Sequence, residues 1–152
     1  MGKILILDEY SSVRELSSAE LGNEGHLVVP IGEPSLIREL IKTLQPDLLL
    51  LDLHLGGVDR WDVLETVKKE DPHLPVLIFS AYGGYPKDPR MALADGFVMK
   101  SFYFEKLKQK VAELLRRELI PKAGGARRLR SISGYPDLRQ SQKLPPINWG
   151  KN

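Results

Sequence analysis

Four consecutive leucines, Leu48–Leu51, run directly into a carboxylate, Asp52. As a strand, such a run offers no polar face to water, so both of its faces must be covered. A charge at its end costs free energy unless it points out of the core or meets a partner. The same arrangement recurs along the chain. Residues 4–7, 27–29, 76–79 and 97–99 are apolar without polar alternation, and Asp8-Glu9, Ser80 and Lys100 follow the first, third and fourth of these runs. A sheet buried on both faces, with polar groups gathered at one edge, is the economical solution.

Helical spacing fills the intervals. Leu36, Ile37, Leu40, Ile41 and Leu44 share one face, as do Leu107, Val111, Leu114 and Leu115. Ser11 or Ser12 is placed to cap a first helix that Gly25 stops near Glu24. Pro34 suits the first turn of a second helix. Asp59 is placed to cap a third, running to about Glu70 and ended by Asp71-Pro72. Strand and helix alternate five times, which predicts an α/β fold, a doubly wound five-stranded parallel sheet in a flavodoxin-like three-layer sandwich, for which the order 2-1-3-4-5 is adopted as the expectation. One repeat is damaged. The segment AYGGYPKDPRMALADG after Ser80 holds two prolines and three glycines, so the fourth helix is expected to be short or partly irregular, from near Pro89 to Asp95-Gly96.

Charge divides the chain. Of 22 Lys+Arg and 20 Asp+Glu, seven basic residues but only Asp137 among the acids fall after residue 120, leaving about −4 in residues 1–120 and +6 in residues 121–152. The first part is read as one domain. The second, PKAGGARRLRSISGYPDLRQSQKLPPINWGKN, has no apolar periodicity and is read as a mostly disordered basic extension. Its arginines, 127–130, are read as a solubilising cluster, and no nucleic-acid partner is expected. The absence of cysteine excludes disulfides and thiolate metal sites. No apolar run approaches the roughly 20 residues of a membrane span, and MGKILILDEY reads as a strand rather than a signal peptide, so a cytoplasmic location is expected.

In a doubly wound sheet the carboxyl ends of the strands share one edge, and strands one and three meet at the switch point. That order brings Asp8, Glu9 and Asp52 together, a group of carboxylates that needs a cation to stay ionised. All-oxygen donors open to water suit Mg2+. Lys100 supplies a fixed positive charge and Ser80 a hydroxyl. Carboxylate nucleophile, metal-binding oxygens, ammonium and hydroxyl together make a constellation that can handle a phosphoryl group.

The segments ILILDEY, PDLLLLDLHLGGVDRWDVL, LPVLIFSAY and ADGFVMKSF, in this order and spacing, resemble the receiver domain of two-component response regulators over about residues 3–118. The resemblance implies that Asp52 is the phosphoacceptor for a phosphohistidine on a sensor histidine kinase or phosphotransfer protein. It implies Mg2+ held by Glu9, Asp52 and the backbone carbonyl of His54, with Asp8 binding through water. Lys100 pairs with the acyl phosphate, Ser80 swings to it, and Phe97 rotates inward as Ser80 moves. Ala81 leaves room for the phosphoryl group, and His54 and Tyr82 tune its lifetime. The expected role is a phosphorylation-dependent switch acting on a downstream protein, as monomer or homodimer, and not a turnover enzyme.

This chain departs from the family pattern at Glu9 (usually Asp), at Gly56 (usually Pro), at Arg60 (usually Gly) and at Ser101, where a proline in a cis bond is common. Glu9, Ser101 and the irregular fourth segment keep a pseudo-receiver, an interaction module without chemistry, as the alternative. A haloacid-dehalogenase-type phosphatase is disfavoured because its Asp-x-Asp follows the first strand. A nucleotide or flavin protein is disfavoured because no Gly-rich loop follows that strand. Trp61 is expected either on the third helix or at the rim of the acidic pocket.

Overall fold

The computed structural model describes residues 1–101 and 103–119, with the side chains of 118 and 119 left aside. The predicted basic extension, 121–152, lies outside the described residues. Five strands, β1 (Lys3–Leu7), β2 (Leu27–Ile31), β3 (Leu48–Leu51), β4 (Val76–Ser80) and β5 (Gly96–Met99), form one parallel sheet. Their spatial order is 2-1-3-4-5, the order expected. Four helices, α1 (Ser11–Asn23), α2 (Ile37–Leu44), α3 (Trp61–Glu70) and α4 (Glu105–Leu119), accompany them. None is long and apolar enough to cross a membrane.

The absence of polar alternation in the strands now has its explanation. Successive side chains point to opposite faces. Leu5, Leu7, Leu49, Leu51, Val76 and Ile78 pack against α2 and α3, in a core with Ile37, Ile41, Leu64 and Val67. Ile4, Ile6, Leu48, Leu50, Leu77 and Phe79 pack on the other face with Leu21 of α1 and with Leu107, Val111 and Leu114 of α4. Strand β3 is central and fully buried, so every residue of its leucine run has a core to enter. Strand β2 lies at the edge, where Pro30 is tolerated because the sheet does not continue beyond it.

Two predicted caps are corrected. The residue before α1 is Tyr10 and the one before α3 is Arg60, and neither helix has a side-chain cap bond. Ser11 lies inside the first turn of α1, and Asp59 is engaged elsewhere, as described below. Pro34 opens a 3-10 turn, Pro34–Leu36, that leads into α2 rather than the α-helix itself. Between β4 and β5 the chain forms two 3-10 turns, Tyr85–Lys87 and Pro89–Leu93, each beginning at or beside a proline. Asp95 closes this segment back onto the fold, accepting from Val76 N–H and Lys68 Nζ, both at 2.8 Å.

Leu50 is in the middle of the central strand and almost wholly buried. Leu50→Ala should destabilise the domain by about 2–5 kcal/mol, read as a lowered urea midpoint with little change in m-value.

Candidate functional site

Asp8, Asp52 and Ser80 end strands that cannot simply continue. Each side chain accepts from the backbone N–H two residues on: Asp8 Oδ1 from Tyr10 (2.9 Å), Asp52 Oδ1 from His54 (3.0 Å) and Ser80 Oγ from Tyr82 (3.2 Å). These local turns lead the chain off the sheet and leave the remaining polar atoms at its carboxyl edge. Asp8 is 2% exposed, Asp52 4% and Ser80 2%.

Lys100 closes the group. Its backbone N–H donates to Ser80 O at 2.8 Å, extending the β4–β5 pairing by one residue. The Lys100–Ser101 bond is trans. From that position the ammonium reaches Asp8 Oδ2 and Asp52 Oδ2, each at 2.7 Å, and lies near the rings of Tyr10 and Phe79. Burial opposes the charge on Lys100, but its hydrogen bonds to Asp52 and Asp8 outweigh that cost and raise its pKa. Burial pushes the Asp8 carboxyl up, and the hydrogen bonds from Lys100 and Tyr10 only partly offset this. One ammonium therefore serves two buried carboxylates, and the site remains short of positive charge.

Glu9 stands apart. Its Oε2 accepts from Gly56 N–H at 2.9 Å, so the carboxylate is held over the loop that follows β3 rather than on Lys100. Among the described residues, no three His, Cys, Asp or Glu side chains form a ready-made metal group. The donor set nonetheless fits Mg2+. It is all oxygen and carries excess negative charge, as such an ion requires.

Phe97 is half-buried on β5 and packs on the α2/α3 side of the sheet. Ala81 and Tyr82 are exposed. His54 is 47% exposed. Trp61 is buried at the start of α3, with Tyr85 edge-on at 5.6 Å and the Arg90 guanidinium 4.4 Å from its ring centre, so it packs against the β4–β5 connection.

Sequence reasoning missed one arrangement altogether. Gly56 and Gly57 both have positive φ, +62° and +80°, and join a two-residue hairpin in which His54 pairs with Asp59 and Leu55 with Val58. A Gly-Gly dipeptide is a recognisable hairpin signal. The hairpin puts Asp59 Oδ1 3.0 Å from His54 Nδ1 and 2.5 Å from the hydroxyl of buried Tyr85, which donates to it. The hydrogen bonds from Tyr85 and His54 lower the Asp59 pKa, and that to Asp59 raises the His54 pKa. Burial and Asp59 together raise the Tyr85 pKa well above the usual phenol range. The hairpin after β3 and the irregular β4–β5 connection are thus tied to each other.

The chain matches the family described as the response regulator receiver domain over residues 4–112. It belongs to that family. The two-component response regulator PhoP of Pseudomonas aeruginosa is 32% identical over 119 residues, covering 76% of this chain and 52% of that protein. The DNA-binding response regulator MtrA of Mycolicibacterium smegmatis is 34% identical over 118 residues, covering 76% and 51%. This receiver chain spans about half the length of these relatives. Among solved structures, the response regulator TrrA of Thermotoga maritima in complex with Mg2+-BeF superposes with a TM-score of 0.67 at 31% identity, over 75% of this chain and 99% of that one. The complex of TrrA with the histidine kinase ThkA gives 0.70 at 30% identity, over 76% and 99%.

Two predictions test the electrostatics and the tie. The folded-state pKa of Asp8 is raised above 3.8, so its ionisation on folding costs stability as pH rises through the folded value. Asp8→Asn should raise the thermal midpoint of the metal-free receiver at neutral pH, with the gain shrinking as pH falls toward 3.8. An unchanged midpoint across that range would contradict the burial cost. Tyr85→Phe keeps the ring but removes the donor to half-exposed Asp59, and should cost about 1 kcal/mol in urea denaturation. It should also speed amide exchange in residues 54–59.

Proposed function

We propose that this receiver accepts a phosphoryl group on Asp52 from the phosphohistidine of a sensor histidine kinase or phosphotransfer protein, and that the modified form signals to a downstream protein. The observation that carries this reading is the ammonium of Lys100, 2.7 Å from both Asp8 and Asp52 at the mouth of the sheet. A carboxylate oxygen of Asp52 attacks phosphorus, the P–N bond of the donor breaks, and the electron pair returns to the imidazole, which takes up a proton. Asp8, Glu9, Asp52 and the His54 carbonyl would hold Mg2+. When bound, the ion supplies charge neutralisation for the phosphoryl oxygens.

Lys100 then exchanges part of its contact with Asp52 for the phosphoryl oxygens, and this keeps one cation fixed throughout the transfer. Ser80 Oγ accepts from Tyr82 N–H, which leaves its own hydroxyl hydrogen to donate to the new acyl phosphate. Movement of Ser80 carries Tyr82 and the irregular connection with it, and Phe97 follows on the neighbouring strand. The product is an aspartyl phosphate that water slowly hydrolyses; there is no turnover of an external substrate. The matches to two-component response regulators and to a regulator–kinase complex support the donor class.

A second reading is an interaction module that has lost the chemistry. Glu9 and Ser101, which depart from the family pattern, and the irregular segment between β4 and β5 favour it. Acetyl phosphate with Mg2+ separates the two. Intact-mass measurement of the full chain should show one phosphoryl adduct that Asp52→Asn abolishes. No adduct with any small-molecule donor would leave the interaction module as the surviving reading.

A further inference from the structure

We infer that Arg14, seated on Gly32, is the positioning residue that holds the acidic loop in register for a divalent cation; this rests on the phosphotransfer reading above. Arg14 is on the second turn of α1, beyond the motif that first identifies the site. Its Nη1 donates to the backbone carbonyl of Asp8 at 2.7 Å and to that of Glu9 at 3.0 Å. These carbonyls belong to the two acidic residues that follow β1. A guanidinium bonded to both fixes the two peptide planes relative to each other, and so fixes the direction in which each carboxylate leaves the chain.

The seat for this side chain lies on the neighbouring strand end. Asp8 N–H donates to Ile31 O at 3.1 Å, which brings Gly32 alongside the loop. A Cβ on Gly32 would sit 2.7 Å from Arg14 Nη1 and 3.1 Å from its Cζ. A side chain at 32 would therefore have to displace the guanidinium from this seat, and the β2 end and the β1 end are joined through Arg14. Nothing in the sequence alone links residues 14 and 32 to the acids. The sheet order does so.

The direction of the effect separates this role from a plain electrostatic one. A cation beside a metal site repels the metal, so if Arg14 acted only through its charge, removing it would tighten Mg2+ binding. If it acts by fixing Asp8 and Glu9, removing it weakens binding despite the relief of repulsion. Supporting groups of this kind are typically worth on the order of tenfold or more in metal affinity.

The test is calorimetric titration of MgCl2 into the full chain, as wild type, Arg14→Ala, Gly32→Ala and the double variant. Amide exchange at Asp8, Glu9 and Tyr10 is followed without metal. Each single variant is expected to weaken Mg2+ binding by several-fold to about tenfold and to speed exchange in the loop. The double variant should be no worse than Arg14→Ala, because Gly32 acts only through the guanidinium. Unchanged or tighter Mg2+ binding in folded Arg14→Ala overturns the positioning role. If that variant does not fold, Gly32→Ala alone decides on the same criterion. Additive losses in the double variant overturn the shared seat. A wild type that binds no Mg2+ overturns the phosphotransfer reading itself and this inference with it, whereas wild-type binding with insensitive variants overturns the inference alone.

Discussion

The ammonium of Lys100 between Asp8 and Asp52 is the contact on which the carboxyl edge of this receiver depends. Two carboxylates nearly excluded from water would repel each other and lose hydration at once. A single cation 2.7 Å from each makes the arrangement tolerable without cancelling it. Under the proposed phosphotransfer reading, that incomplete compensation is chemically useful. A fully neutral site would have little reason to take up a further cation, and an uncompensated one would carry a larger penalty on folding. The raised pKa of Asp8 comes chiefly from its burial, which the hydrogen bonds from Lys100 and Tyr10 only partly offset.

Around this centre the chain uses short polar turns rather than helix caps. Asp8, Asp52 and Ser80 each spend one acceptor on the backbone N–H two residues ahead. The same bonds that end the strands aim the free carboxylate oxygens at Lys100. Ser101 repeats the pattern with Tyr103 N–H just after Lys100. Structural and functional roles are therefore not alternatives at these positions. The expectation that Ser11 or Ser12 and Asp59 would cap helices failed because their neighbourhoods offered other geometry. Tyr10, not a serine, precedes α1, and the hairpin turned Asp59 toward His54 and Tyr85.

That hairpin also gives meaning to two departures from the family pattern. Gly56, in place of the family's usual proline, takes positive φ together with Gly57 and allows a tight reversal. Arg60, in place of the usual glycine, leads into α3 with its guanidinium on Asp62. The segment after β4 lacks a regular helix between its prolines, but it is not loosely attached. Tyr85 anchors it to Asp59, Trp61 packs edge-on against Tyr85, and Asp95 fastens its far end to β4. The loop after β3 and this connection are therefore held together by direct side-chain contacts.

By itself the sequence determined the buried parallel sheet and the polar residues that end four of its five strands. Apolar runs without alternation, interrupted by acids and a lysine in fixed register, allow few other folds. It marked Asp8, Asp52, Ser80 and Lys100 because each follows its strand immediately, so one local reading finds each of them. Only the tertiary structure decided that Glu9 leans on Gly56, that Asp59 joins His54 to Tyr85, and that Arg14 fills the space above Gly32. Those partners lie on different strand ends or across an irregular segment. Their meeting is fixed by sheet register and by backbone turns with positive φ, which residue periodicity does not encode.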